Sequence, residues 1–224
     1  MPRRNNRFRQ AARHLLAAAV LAATSAVPGA AQDAAYSVTV TLNWSTDTAA
    51  TLPEGAHWSR LIAFAHSDRY QLFKDGDTAS SGLALVATNG RTGVLEAELT
   101  EGARRGRVGE HIVVPGSEGG VATFGFTLPV TEKHHFVSLA TMLAPSPDWF
   151  SGVSGVRLRS EDAWREQVSV PLWVWDAGAD SGPEFSSSNA PTQPRQSVRL
   201  LTHPAFLQTD GLRPVGTVVF DLLR

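Results

Sequence analysis

Three aspartates stand where chemistry could occur. Asp148 lies within the string Pro145-Ser146-Pro147-Asp148-Trp149-Phe150, and Asp176 and Asp180 lie four apart in Asp176-Ala177-Gly178-Ala179-Asp180-Ser181-Gly182. Hard divalent cations take several oxygen ligands, and Asp-rich turns with glycine at the bends supply them. Asp also caps ordinary turns through its own side chain, so spacing alone leaves both readings open.

Other reactive side chains form weaker patterns. His134 and His135 are adjacent, and neighbours on a strand point to opposite faces, which argues against one shared metal. His57 and His66 sit in a Trp- and Leu-containing stretch and read as packing or surface histidines. There is no Gly-x-Ser-x-Gly elbow and no His-Glu-x-x-His, so a hydrolase would need a triad assembled from distant positions. Arg104, Arg105 and Arg107 form a small basic cluster that reads first as a solvated turn and second as an anionic-surface contact. Trp173 and Trp175 share one face of a strand, either packed in the core or offered as a platform for a glycan or a partner.

The elements that must carry these residues are mainly strands. Residues 36–44 alternate without a break, with Tyr36, Val38, Val40, Leu42 and Trp44 on one face. Further strands are expected at 108–114, 121–128, 135–143, 153–158, 168–175, 197–202 and 215–223, the third of these apolar enough to be covered on both faces. Trp58, Leu61, Ile62 and Ala65 fall at helical spacing, which predicts a short helix or turn within 57–66. Two more short helices are expected, at 80–90 ending on Asn89-Gly90 and at 92–100. Residues 185–196, rich in Ser, Asn and Pro, read as a long surface loop. The fold class that follows is an all-β antiparallel β-sandwich with short helical insertions.

Composition bounds the compartment. Arg3, Arg4, Arg7, Arg9 and Arg13 precede a short apolar run, and small residues follow, so residues 1–31 read as a cleaved signal peptide and 32–224 as one domain. The expected location is secreted or periplasmic, with no transmembrane segment once the signal is removed. The full chain carries 20 basic and 21 acidic residues; losing those five arginines leaves 15 against 21, a net charge of −6. That balance offers no general nucleic-acid footprint. Cysteine is absent, so core packing or a bound ion must replace disulfides.

The separated strings together resemble the spondin domain, the module of F-spondin, mindin and secreted bacterial proteins. Ala56-His57-Trp58-Ser59-Arg60-Leu61-Ile62, Ser80-Ser81-Gly82-Leu83, the Pro145 string with Gly152-Val153, Trp164-Arg165-Glu166, the Asp176–Asp180 loop and Phe185-Ser186-Ser187 carry the likeness. The resemblance implies a C2-like β-sandwich that binds one calcium-like ion in loops at one end, with Asp148, Asp176 and Asp180 on the acidic positions. It further implies a stand-alone, non-catalytic adhesion or recognition module whose partner is an extracellular protein, a glycan or an anionic surface. A C2-like calcium-dependent binder of membrane surfaces or polysaccharide is the alternative, and a hydrolase the third. An ungapped comparison with mindin sets Pro129 at a further acidic position, in the strand before the Pro145 string. That ligand is thereby missing, and integrin-type recognition does not carry across. The cysteines and thrombospondin repeats of the animal proteins are missing as well.

Overall fold

The computed structural model describes residues 33–209 and 211–224; the expected signal peptide lies outside the described residues. The strands are β1 (Ala34–Asn43), β2 (His57–Trp58), β3 (Leu61–His66), β4 (Val108–Val114), β5 (Val121–Val130), β6 (Phe136–Ala144), β7 (Trp149–Arg157), β8 (Gln167–Asp176), β9 (Arg199–Leu200), β10 (Leu207–Gln208), β11 (Gly211–Leu212) and β12 (Gly216–Leu222). Helices α1 (Ser81–Asn89) and α2 (Gly93–Arg104) separate β3 from β4.

The main strands follow one antiparallel path, β4-β3-β6-β7-β8-β12-β1-β5. Its two ends, β4 and β5, come back beside each other. β8 makes the turn between layers: residues 167–172 pair with β12, and Gly152↔Trp173 through Trp149↔Asp176 pair it with β7. The path therefore folds over itself into a nearly closed sandwich. Its core holds Tyr36, Val38, Val40, Leu42, Trp44 and Trp58, among others. The alternating face read from residues 36–44 is the inward face of β1, as its burial pattern shows.

A second core lies between β3, β6 and the helices. Leu83, Val86, Leu95 and Leu99 cover Ile62, Phe64, Ala140 and Phe150. Ser80 caps α1 by accepting from the Leu83 N–H at 3.1 Å, and Glu98 of α2 accepts from Ser80 Oγ and from the Gly82 N–H.

This second layer corrects the expected helix or turn at 57–66. The segment forms β2 and β3, because Leu61, Ala63 and Ala65 face the sandwich while Ile62 and Phe64 face the helices. A strand buried on both faces loses its period of two, and its residues then coincide with helical spacing. The same coverage extends β7 back to Trp149 from the expected start at 153, with Trp149 in the sandwich and Phe150 under the helices. α2 runs a turn beyond the expected end at 100. The strand expected at 197–202 shrinks to β9, and the short β10–β11 hairpin adds a pair of strands with no counterpart among the expected ones.

His66 locks an irregularity in this layer. It is buried, its Nδ1 donates to the Ser67 carbonyl at 2.8 Å, and its Nε2 accepts from Ser138 Oγ at 2.8 Å. Ser138 in turn accepts from the Gly155 N–H at 2.9 Å, where the β6–β7 register shifts. Burial pushes the imidazole pKa below its ordinary value, with positive charge at His134 and His135 adding to the shift and the Ser67 bond opposing it. A neutral native histidine contributes stability that is present above pH ~6.5 and is lost as pH falls below it. Ser138→Ala is expected to cost about 1–3 kcal/mol, since it strands His66 Nε2 and the Gly155 N–H. His66→Gln should flatten the acid-side loss of stability; thermal melts of wild type and variant between neutral and mildly acidic pH check both.

Candidate metal centre

The pairing of β7 with β8 puts the aspartates at one end. Asp148 immediately precedes β7, and Trp149 lies opposite Asp176, the last residue of β8. The Ala177 N–H donates to the Asp148 carbonyl at 3.2 Å, and beyond it the chain turns sharply back over the Asp148 side chain. Asp148 Oδ2 accepts from the Ala179 N–H at 2.6 Å and the Asp180 N–H at 3.0 Å. Gly178 makes the turn possible. Its φ is +67°, and a Cβ there would lie 2.4 Å from the Gln196 carbonyl oxygen.

The three carboxylates differ in how they are satisfied. Asp148 is fully buried, and its Oδ1 has no hydrogen-bond partner among the described residues. Asp176 Oδ1 accepts from the Gly178 N–H at 2.7 Å. Asp180 spends both oxygens on the main chain, Oδ1 on the Gly182 N–H at 2.8 Å and Oδ2 on the Ala190 N–H at 2.9 Å. It thereby staples the loop at 185–196 to the turn, and Asp180 also bridges to Pro191. Among the described residues, no three histidine or acidic side chains gather closely enough to hold a metal by themselves. The structure thus brings Asp176 and, more weakly, Asp180 within electrostatic reach of Asp148, and it gives Asp180 main-chain partners of its own.

Charge is costly here. Burial, then the Asp176 charge and more weakly the Asp180 charge, push the Asp148 carboxyl up to about 6 against the pull of its two N–H donors. Burial also raises Asp176, opposed by the Gly178 N–H and by Arg199, which faces it across the β8–β9 pair. Asp176 and Arg199 open with Trp149 and His203 onto a recess of about 320 Å³. An unpartnered, buried carboxylate oxygen is the kind of group a hard cation satisfies, so the donor set here is chemically suited to one.

The remaining sequence candidates separate. His134 reaches the Gly106 carbonyl and Thr131, and His135 reaches the Glu132 carbonyl, so the pair shares no partner. His57 bonds the Gly55 carbonyl in an exposed turn. A Ser–His contact does occur, between Ser138 and His66, but both are sealed from solvent and His66 Nδ1 meets a carbonyl instead of a carboxylate. Nothing local marks that pair, since its members are 72 residues apart. Trp173 and Trp175 are half-buried on the outer side of β8, where Trp175 packs on Phe73. The strand before the Pro145 string is β6, whereas Pro129 is an exposed residue of β5 and so does not stand in that strand.

Fold and loops define an antiparallel β-sandwich module that carries a buried acidic pair and its supporting turn at one end. The chain belongs to the Spondin_N family, whose model matches residues 34–209. It is 35% identical over 206 residues to Spondin-2 of Homo sapiens, an alignment that covers 85% of this chain and 62% of that protein. It is 34% identical over 209 residues to Spondin-1 of Gallus gallus, covering 84% of this chain and 25% of that protein. The chain therefore spans under two thirds of the length of these relatives. No helix among the described residues is long and apolar enough to cross a membrane.

Proposed function

We propose that this protein is an exported, non-catalytic adhesion or recognition module of the extracellular space, closed at one end by a calcium ion. The observation that carries the reading is the buried, unpartnered Oδ1 of Asp148 beside Asp176. Asp148 and Asp176 would hold the ion, and Asp180 would support them by fixing the turn that donates to Asp148 Oδ2. Bound there, a divalent cation supplies positive charge that offsets the repulsion between the two carboxylates. It also ties the start of β7 to the end of β8, which is a structural rather than a catalytic service. Kinship to the spondins supports the extracellular role, and Ser138 and His66, sealed inside, offer no substrate a way in.

Calcium titration of the purified protein tests this. At a hundredfold excess over Kd the ion adds about 2.7 kcal/mol, which raises Tm by about 5–10 °C for a domain of this size. EDTA returns the melt to its starting point. A Tm indifferent to both calcium and EDTA overturns the metal reading.

A further inference from the structure

At the opposite end of β6 from Asp148, three loops meet around a recess of about 460 Å³ whose walls carry Arg69, Arg105, Arg107 and Lys133, with Ser67 and Asp68 at the rim. The loops come from the end of β3, the α2–β4 turn and the β5–β6 turn. Hydrogen bonds fix them to one another. The Ser67 N–H and Oγ both donate to the Arg107 carbonyl, at 2.8 and 3.2 Å, and His134 Nε2 lies 3.2 Å from the Gly106 carbonyl. Gly106 has φ +63°, and a Cβ there would lie 2.6 Å from Lys133 Nζ, so the ammonium rests directly over the turn.

The cations are poorly neutralised by the protein itself. Arg105 pairs with Glu101 at 2.8 Å, while Arg69, Arg107 and Lys133 form no ion pair among the described residues. Glu132, next to Lys133, is taken by Arg159 at 3.1 Å. Among the described residues, Asp68 is the one carboxylate on the recess wall. Four like charges held by main-chain bonds repel one another, and an oxyanion relieves that repulsion with charge-assisted bonds, from arginine above all. Among the described residues, no large apolar side chain lines the recess to anchor it in a bilayer. A concave wall rich in cationic side chains suits an anionic chain laid along it.

We propose that this recess binds a sulfate- or phosphate-bearing polysaccharide, independently of calcium and of the acidic end. The reading does not rest on the metal site, and it is tested in EDTA with heparin as the probe. The mature protein is expected to be retained on immobilised heparin at physiological salt despite its negative net charge. R69Q/R107Q/K133Q should lose at least tenfold in affinity, and its log–log salt dependence should fall by about three, one for each cation removed. Its melting temperature and calcium response should match wild type, which shows that the fold is intact. R60Q/K74Q/R91Q makes the same change of charge outside the recess and should bind as wild type does. Equal losses in the two triple variants would reduce the effect to net charge and overturn the proposal. So would binding to phosphatidylserine vesicles in preference to heparin, lost in the first triple variant, which would identify a membrane site instead.

Discussion

Asp148→Asn is expected to fold and to stop responding to calcium. Asparagine keeps an oxygen for the Ala179 and Asp180 N–H groups, so the turn retains its anchor. What disappears is the charge that burial and Asp176 disfavour, on a carboxyl pushed up to about 6. Against an unfolded value near 3.8, ionising that group in the folded, calcium-free protein costs about 3 kcal/mol at neutral pH. The folded pKa is the higher one, so the native state holds the proton longer. The cost is absent below pH ~4 and grows to its full size as pH rises through ~6. Calcium-free wild type should therefore lose stability relative to Asp148→Asn across that window, although the unpartnered amide of the variant offsets part of its gain. His66 acts in the opposite sense over nearby pH, which is why the difference between the two proteins, and not either profile alone, carries the information. Melts at mildly acidic and neutral pH, with and without calcium, check it. If Asp148→Asn gains as much Tm from calcium as wild type does, Asp148 holds no ion.

Gly178→Ala is expected to damage both fold and site without altering any carboxylate chemically. Alanine at φ +67° is strained, and its Cβ would sit 2.4 Å from the Gln196 carbonyl oxygen, a main-chain atom that cannot swing aside. Together the strain and the overpacking should cost about 3 kcal/mol. Relief requires residues 176–180 to move away from residue 196, which pulls the Ala179 and Asp180 N–H groups off Asp148 Oδ2. Calcium affinity should fall along with stability. Gly125→Ala is the comparison, since no atom lies within 4 Å of a Cβ there. Urea denaturation of both variants, repeated in calcium, separates the outcomes, and a Gly178→Ala protein with wild-type midpoint would show that the turn does not position the site.

How much of this the sequence disclosed depends on whether a residue's surroundings are local. The inward face of β1 was legible because one side meets the core and the other does not. β3 was not, because residues 83–99 arrive from elsewhere in the chain to cover its second face. Asp148, Asp176 and Asp180 stood out by type and by family likeness, yet their unequal partners were hidden. Only the folded turn shows that Asp180 spends its oxygens on Gly182 and Ala190 while Asp148 keeps one bare. The basic recess was half visible: Arg105 and Arg107 are neighbours in sequence, whereas Arg69 and Lys133 join them only through the β3 and β6 ends.

The double-sided burial of β3 reaches beyond secondary structure. A strand that contributes Leu61 and Ala63 to one apolar cluster and Ile62 and Phe64 to the other cannot release either without baring both. The helices are therefore no removable ornament, and the two clusters must come apart in a single cooperative step. Substitutions beneath α1 and α2 should then also loosen the acidic end directly, because Ala177 is buried in the helix-covered cluster and Ala179, whose N–H holds Asp148 Oδ2, packs against it.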